Sequence, residues 1–225
     1  MITTRAKTSP IGSLKSSTMK TKIVFALAIA YFSFNGLWAQ KMIELKNPSF
    51  EKDSPAAGIV PTGWIDLGGE TQTPSDIQPG FFGVMTSAQD GRVFVSMVAR
   101  DNNTWEGIGQ RLSDYLKKDV SYSFSIWLSR SNTYKSPTRM STEPVSFNAP
   151  TILKIWGYNT KTKQDELLAE SLPVGHSKWV QYEFVLKPTS GDFDELDLMA
   201  YYAPGHEKEN GNLLIDNCSA IVPIK

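Results

Sequence analysis

Two sets of residues in this chain are of a type and spacing to do chemistry: outward-facing aromatics beside polar side chains, and scattered carboxylates. In the run Tyr122 to Leu128, the apolar Tyr122, Phe124, Ile126 and Leu128 alternate with Ser123, Ser125 and Trp127. A period of two places the apolar set on one face of a strand and Trp127 with the serines on the other. In Thr151 to Tyr158 the same alternation separates Leu153, Ile155 and Gly157 from Lys154, Trp156 and Tyr158. Taking the smaller apolar set as core turns Trp156 and Tyr158 outward. Flat rings flanked by hydrogen-bonding groups suit sugars, whose C–H faces are apolar and whose hydroxyls need donors and acceptors. Ser125, Arg130 and Lys154 are candidates for that polar rim, with Asp197 and Tyr201 as additions. The competing reading is that the irregular segment Ser131 to Pro150 covers these aromatics and makes them a second small core.

Hydrolysis of a glycosidic bond needs two carboxylates held at a set separation across a cleft. Asp192, Asp194, Glu195 and Asp197 form an acidic run, but alternation beside the Ser190-Gly191 turn reads as a solvated hairpin. No nucleophile elbow, His-Glu-x-x-His or phosphate loop is present. The expectation is therefore a protein that is not an enzyme. His176 and His206 are isolated, and the single Cys218 excludes an internal disulfide framework and a cysteine metal cluster. Cys218 follows the apolar run Leu213-Leu214-Ile215 and reads as a small buried hydrophobe.

The 225 residues carry 23 Lys+Arg against 23 Asp+Glu. That balance mixes two objects. Met19-Lys20-Thr21-Lys22 precedes an apolar run from Ile23 to Phe34 and a cleavage-type sequence ending at Ala39. This is the pattern of a secretory signal peptide, and the run is shorter than the ~20 apolar residues of a membrane span. The expected division is 1–39 as targeting segment with an upstream extension (Met19 as the true start) and 40–225 as the folded domain. Residues 1–39 hold five bases and no acid, leaving 18 bases against 23 acids, a net charge of −5. An acidic, exported chain has no basic surface for nucleic acid, and after cleavage no membrane anchor is expected.

Positioning these residues falls to strands. Arg92–Ala99, Tyr122–Leu128, Thr151–Tyr158, Val180–Leu186, Glu195–Tyr202 and Leu213–Val222 all read as strands, separated by Gly, Asn and Pro turns. Lys163 to Leu172 has helix-forming composition, yet reads as a strand, Glu166–Ser171, returning from Thr151–Tyr158 through a turn at 159–164. Many short strands without alternating helices indicate an all-β antiparallel sandwich. Ser131 to Pro150 reads as a long loop. Trp64, Trp105 and Trp179 read as packing residues, and Gln110 as a satisfied buried amide.

Ordered motifs run through most of this domain: Asn47-Pro-Ser-Phe-Glu51, Pro61-x-Gly-Trp64, Asp90-Gly-x-x-Phe-Val95, Trp105-Glu-Gly-Ile-Gly-Gln110, Tyr122-Ser-Phe-Ser-Ile-Trp127, Trp179-Val-x-Tyr182 and Leu214-Ile-Asp-Asn217. Together they resemble the CenC-type carbohydrate-binding modules, families four and nine. The resemblance implies a galactose-binding-like jelly roll that binds a polysaccharide or glycan without catalysis, and the alternation then makes the outward Trp127, Trp156 and Tyr158 the expected stacking rings. The resemblance also implies a structural Ca²⁺ held by Glu51 and Asp216, set against the plainer reading that these carboxylates satisfy turn amides. The chain departs from the family at Lys118-Asp119-Val120, where Pro-Gly is common, and at Asn217. The alternative to glycan binding is a cell-envelope structural or protein-interaction sandwich of the same fold.

Overall fold

The computed structural model describes residues 41–69, 72–138 and 141–225; the expected targeting segment and its cleavage point lie outside them. The strands, in chain order, are β1 (Ile65–Asp66), β2 (Asp76–Gln78), β3 (Phe94–Arg100), β4 (Thr104–Trp105), β5 (Gly107–Leu116), β6 (Ser121–Ser129) and β7 (Lys135–Thr138). They continue as β8 (Ser141–Ser146), β9 (Thr151–Asn159), β10 (Gln164–Glu170), β11 (Val180–Leu186), β12 (Phe193–Tyr202), β13 (Gly211–Asp216) and β14 (Val222–Ile224). No helix occurs among the described residues.

Two sheets face each other. One has the order β1-β5-β12-β9-β10; the other has β11-β6-β13-β3-β2, with β14 added to β6 and β4 to β3. The strand pairs within both are antiparallel. The inner faces supply one core, with Leu153, Ile155, Leu196 and Leu198 from the first sheet meeting Met97, Phe124, Ile126, Leu128 and Leu213 from the second. The fold is the all-β antiparallel sandwich that the period-two runs require, because each strand buries one face and leaves the other to solvent or to a covering segment.

Several strands differ from the sequence reading. The single closing strand expected over Leu213–Val222 is broken: Asn217 adopts a left-handed backbone (φ 49°), and the chain resumes as β14. The Lys163–Leu172 region is a strand, β10, entered through Lys163 at φ 61° and paired antiparallel with β9. Tertiary pairing overrides its helical composition. β5 carries no legible alternation, because Gly107 and Gly109 occupy its outward positions.

Ser131 to Pro150 is not a plain loop. It contains the hairpin β7–β8, and Tyr134 and Phe147 at its base pack with Val84, Phe94, Val98 and Leu214 in a second core on the outer face of the seven-stranded sheet. The segment does cover an outer face, though not the one that carries Trp156. Its polar anchor is Asn212, which accepts from the Ser131 N–H (2.8 Å) and donates to the Ser131 carbonyl (2.9 Å) and the Phe147 carbonyl (2.6 Å).

Candidate functional site

Alternation on β9 holds as read: Leu153 and Ile155 are fully buried, while Lys154, Trp156 and Tyr158 face out. On β12, Leu196, Leu198 and Ala200 point inward, leaving Glu195, Asp197, Met199 and Tyr201 on the same outer face. The register sets these into rows: Asp197 lies between Trp156 on β9 and Gly109 on β5, and Glu195 lies between Tyr158 and Arg111. β10 brings Asp165 opposite Tyr158, and β1 brings Ile65 opposite Gly109.

The result is a groove of about 620 Å³ lined by Trp105, Trp156, Tyr158 and Tyr201, with Leu67, Met199 and four carboxylates, Asp66, Asp165, Glu195 and Asp197. Trp105 and Tyr201 pack with ring centroids 4.2 Å apart, and Lys154 lays its ammonium 4.2 Å from the centre of the Tyr201 ring. The floor is low where β5 carries glycine. A methyl group at Gly109 would sit 2.5 Å from Asp197 Oδ1 and 3.0 Å from the Leu67 side chain.

The electrostatics of the groove are dominated by its acids. Glu195, 4% exposed, pairs with Arg111, whose head group is largely in solvent. Asp197 has no such partner: its Oδ1 is buried without a hydrogen bond, as is Nε1 of Trp156. Burial, then the negative charges of Glu195 and Asp165, push the Asp197 carboxyl up to about 7, with Arg111 opposing them.

The structure divides the six aromatic-face candidates evenly. Trp156 and Tyr158 line the groove, and Lys154 lies on the same face beside it, against the Tyr201 ring. Trp127, Ser125 and Arg130 lie on or beside β6 in the other sheet, so the expectation of one shared aromatic face is corrected. Period two tells inward from outward but not which sheet a strand joins, and outward faces of opposing sheets point apart. Ser125 there accepts a hydrogen bond from Gln181 (3.1 Å), and Arg130 donates to the Asn148 carbonyl and to Asn132, tying down the base of the hairpin.

Trp105 is the residue the sequence reading misplaced: it is half-buried and lines the groove rather than the core. Its adjacency to the Gly107-x-Gly109 floor was the available signal. Trp64 and Trp179 are packing residues as expected, donating to the carbonyls of Asn47 (3.1 Å) and Ser87 (2.8 Å). Gln110 is a satisfied buried amide, exchanging hydrogen bonds with the backbone of Lys46 at 2.7 and 2.8 Å.

Glu51 and Asp216 both clasp the turn 89–93. Glu51 Oε1 accepts from the N–H groups of Arg92 (3.0 Å) and Val93 (3.2 Å). Asp216 Oδ2 accepts from Gln89 (2.8 Å) and Asp90 (3.0 Å), and its Oδ1 from Asn217 (2.8 Å). Burial pushes Asp216 up to about 7 against these three amides. Among the described residues no three His, Cys, Asp or Glu side chains group as metal ligands. Both carboxylates serve as acceptors for the amides of this turn.

A second polar cluster lies on the opposite sheet, under the hairpin. Asp76 takes hydrogen bonds from Tyr134 (2.8 Å) and the Gly58 N–H (2.7 Å). Glu106, pushed up to about 8 by burial with Arg100 opposing, accepts from Arg100, Thr73 (3.0 Å) and the Val98 N–H (3.1 Å). These groups are matched to one another and fasten the hairpin to β3.

The chain matches no protein-family model and no curated protein sequence. It is similar in structure to a cyclase from Fischerella sp. TAU, with TM-score 0.55 and 16% identity over 82% of this chain and 97% of that one. It is also similar to the CBM22-1 xylan-binding domain of Xyn10C from Paenibacillus barcinonensis, at TM-score 0.49 and 19% identity over 82% and 96%. A family 16 carbohydrate-binding module follows at TM-score 0.43 and 13% identity, over 80% and 99%. The likeness to the cyclase is one of fold.

Proposed function

We propose that the domain is a secreted, non-catalytic glycan-binding module whose ligand lies along the outer face of the five-stranded sheet. The observation that carries this reading is the groove in which Trp156, Tyr158 and the Trp105–Tyr201 pair line an open channel with polar groups between them. Sugar rings stack on such faces while their hydroxyls meet the carboxylates and Lys154. The CenC-type motifs support the same reading. The fold by itself does not choose among functions.

Retention of the domain in polyacrylamide gels containing xylan, β-glucan or chitin derivatives tests it. Trp156→Ala is expected to weaken binding by about 2 kcal/mol, roughly 30-fold, with an unchanged melting temperature. Trp127→Ala, on the other sheet, is expected to bind as the wild type does. Failure to bind any glycan on a broad array would overturn the proposal in favour of a structural or protein-interaction sandwich.

A further inference from the structure

The groove carries four carboxylates, and its lining includes no lysine or arginine. The nearby cations are engaged: Arg111 with Glu195 and Asp194, and Lys154 with the face of Tyr201. Lys163 stands off at 5.9 Å from the centre of the Tyr158 ring. Asp66, Asp165 and Asp197 have no ion-pair partner among the described residues. Asp197 is the extreme case. It lies between the ring-bearing Trp156 and the bare backbone of Gly109, with Oδ1 buried and unpaired. A desolvated carboxylate beside like charges is costly unless a cation or a proton meets it. Among the described residues no lysine or arginine pairs with it, and Arg111, bound to Glu195, offsets its charge only in part.

We infer that the groove selects its glycan by charge, favouring chains with free amino groups, such as glucosamine units, and rejecting chains that carry uronates. The inference rests on the glycan-binding reading above. A sugar ring stacked on Trp156 sets its ring substituents beside Asp197, the cross-strand neighbour of Trp156. An ammonium there faces an acid in a half-buried site, where charge pairs are stronger than in open water. A carboxylate there meets like charges on both flanks.

The test compares glucosamine oligomers with N-acetylglucosamine oligomers of equal length, alongside xylo-oligosaccharides and galacturonate oligomers, by titration calorimetry at low and high salt. The two glucosamine series share a backbone and differ in the charged nitrogen. The free-amine oligomer is expected to bind about tenfold more tightly than its acetylated counterpart, with the advantage shrinking at high salt. Asp197→Asn is expected to remove most of that advantage, weakening the free-amine oligomer more than its acetylated counterpart, and galacturonates are expected not to bind. Equal binding of the two glucosamine series, or an advantage that survives Asp197→Asn, would overturn charge selection and leave the glycan-binding reading standing. Absence of binding by every oligomer would overturn both.

Discussion

Replacing Asp197 by Asn should stabilise the folded domain, and more at pH 8 than at pH 5. The Asp197 carboxyl is raised from 3.8 to about 7 in the fold, by burial first and by Glu195 and Asp165 next. Below the unfolded value both states hold the proton, and the group contributes no pH-dependent penalty. Between about 4 and 7 the folded state keeps a proton that the unfolded chain has released, so stability falls as pH rises. Above 7 both states are ionised and the full penalty is present. About three pH units at about 1.4 kcal/mol each set an upper bound of about 4 kcal/mol. Local relaxation and the amide's own need for partners reduce the expected gain to about 1–2 kcal/mol at pH 8. For a domain of this size that is about 2–8 °C in melting temperature. At pH 5 the native Asp197 is still neutral but the unfolded chain is ionised, so only about a third of the penalty is present and the variant's gain is expected to be correspondingly smaller. Thermal unfolding of both proteins at pH 5 and pH 8 measures the difference of differences, in which any change of packing cancels. An equal shift at both pH values, or destabilisation at pH 8, would refute the assignment of Asp197 as a buried, unpartnered charge. Stabilisation accompanied by loss of amine preference would show this carboxylate to be kept at the expense of stability.

Gly157→Ala should destabilise the sandwich by about 1–3 kcal/mol, because its methyl group would meet the Phe193 ring at 2.7 Å in the core; urea denaturation measures it. Glu51→Ala should cost about 1–3 kcal/mol by stranding the N–H groups of Arg92 and Val93. Adding a chelator to the wild type should leave its melting curve unchanged; a fall in the midpoint would support calcium in the Glu51–Asp216 region.

Much of the scaffold was legible because burial of one strand face writes itself into the sequence. Tyr122 to Leu128, Thr151 to Tyr158 and Val180 to Leu186 each declare an inward set, and each forms a strand. β10 was legible against its own composition, since its length and the turn before it suited a return strand. β5 was not, because glycines at 107 and 109 remove the outward half of the alternation. The Asn217 break was hidden as well: apolar residues resume at Cys218, Ala220 and Ile221, so Asp216 and Asn217 read as polar positions within one strand rather than as its end.

The candidate site was legible by halves. The outward placement of Lys154, Trp156 and Tyr158 follows from local alternation, which a strand imposes whatever its neighbours. Gln110 and Trp64 followed from similarly local cues. The union of Trp156 with Trp105, Tyr201 and Asp197, and its separation from Trp127, is set by strand order. β12 pairs with β9 and β5, while β6 pairs with β11 and β13 in the opposite sheet. Hydrogen-bonded neighbours in that order are distant in sequence, and no periodicity within a strand records them. Sequence alone determined which residues face away from the core; the tertiary structure decided which of them face the same solvent.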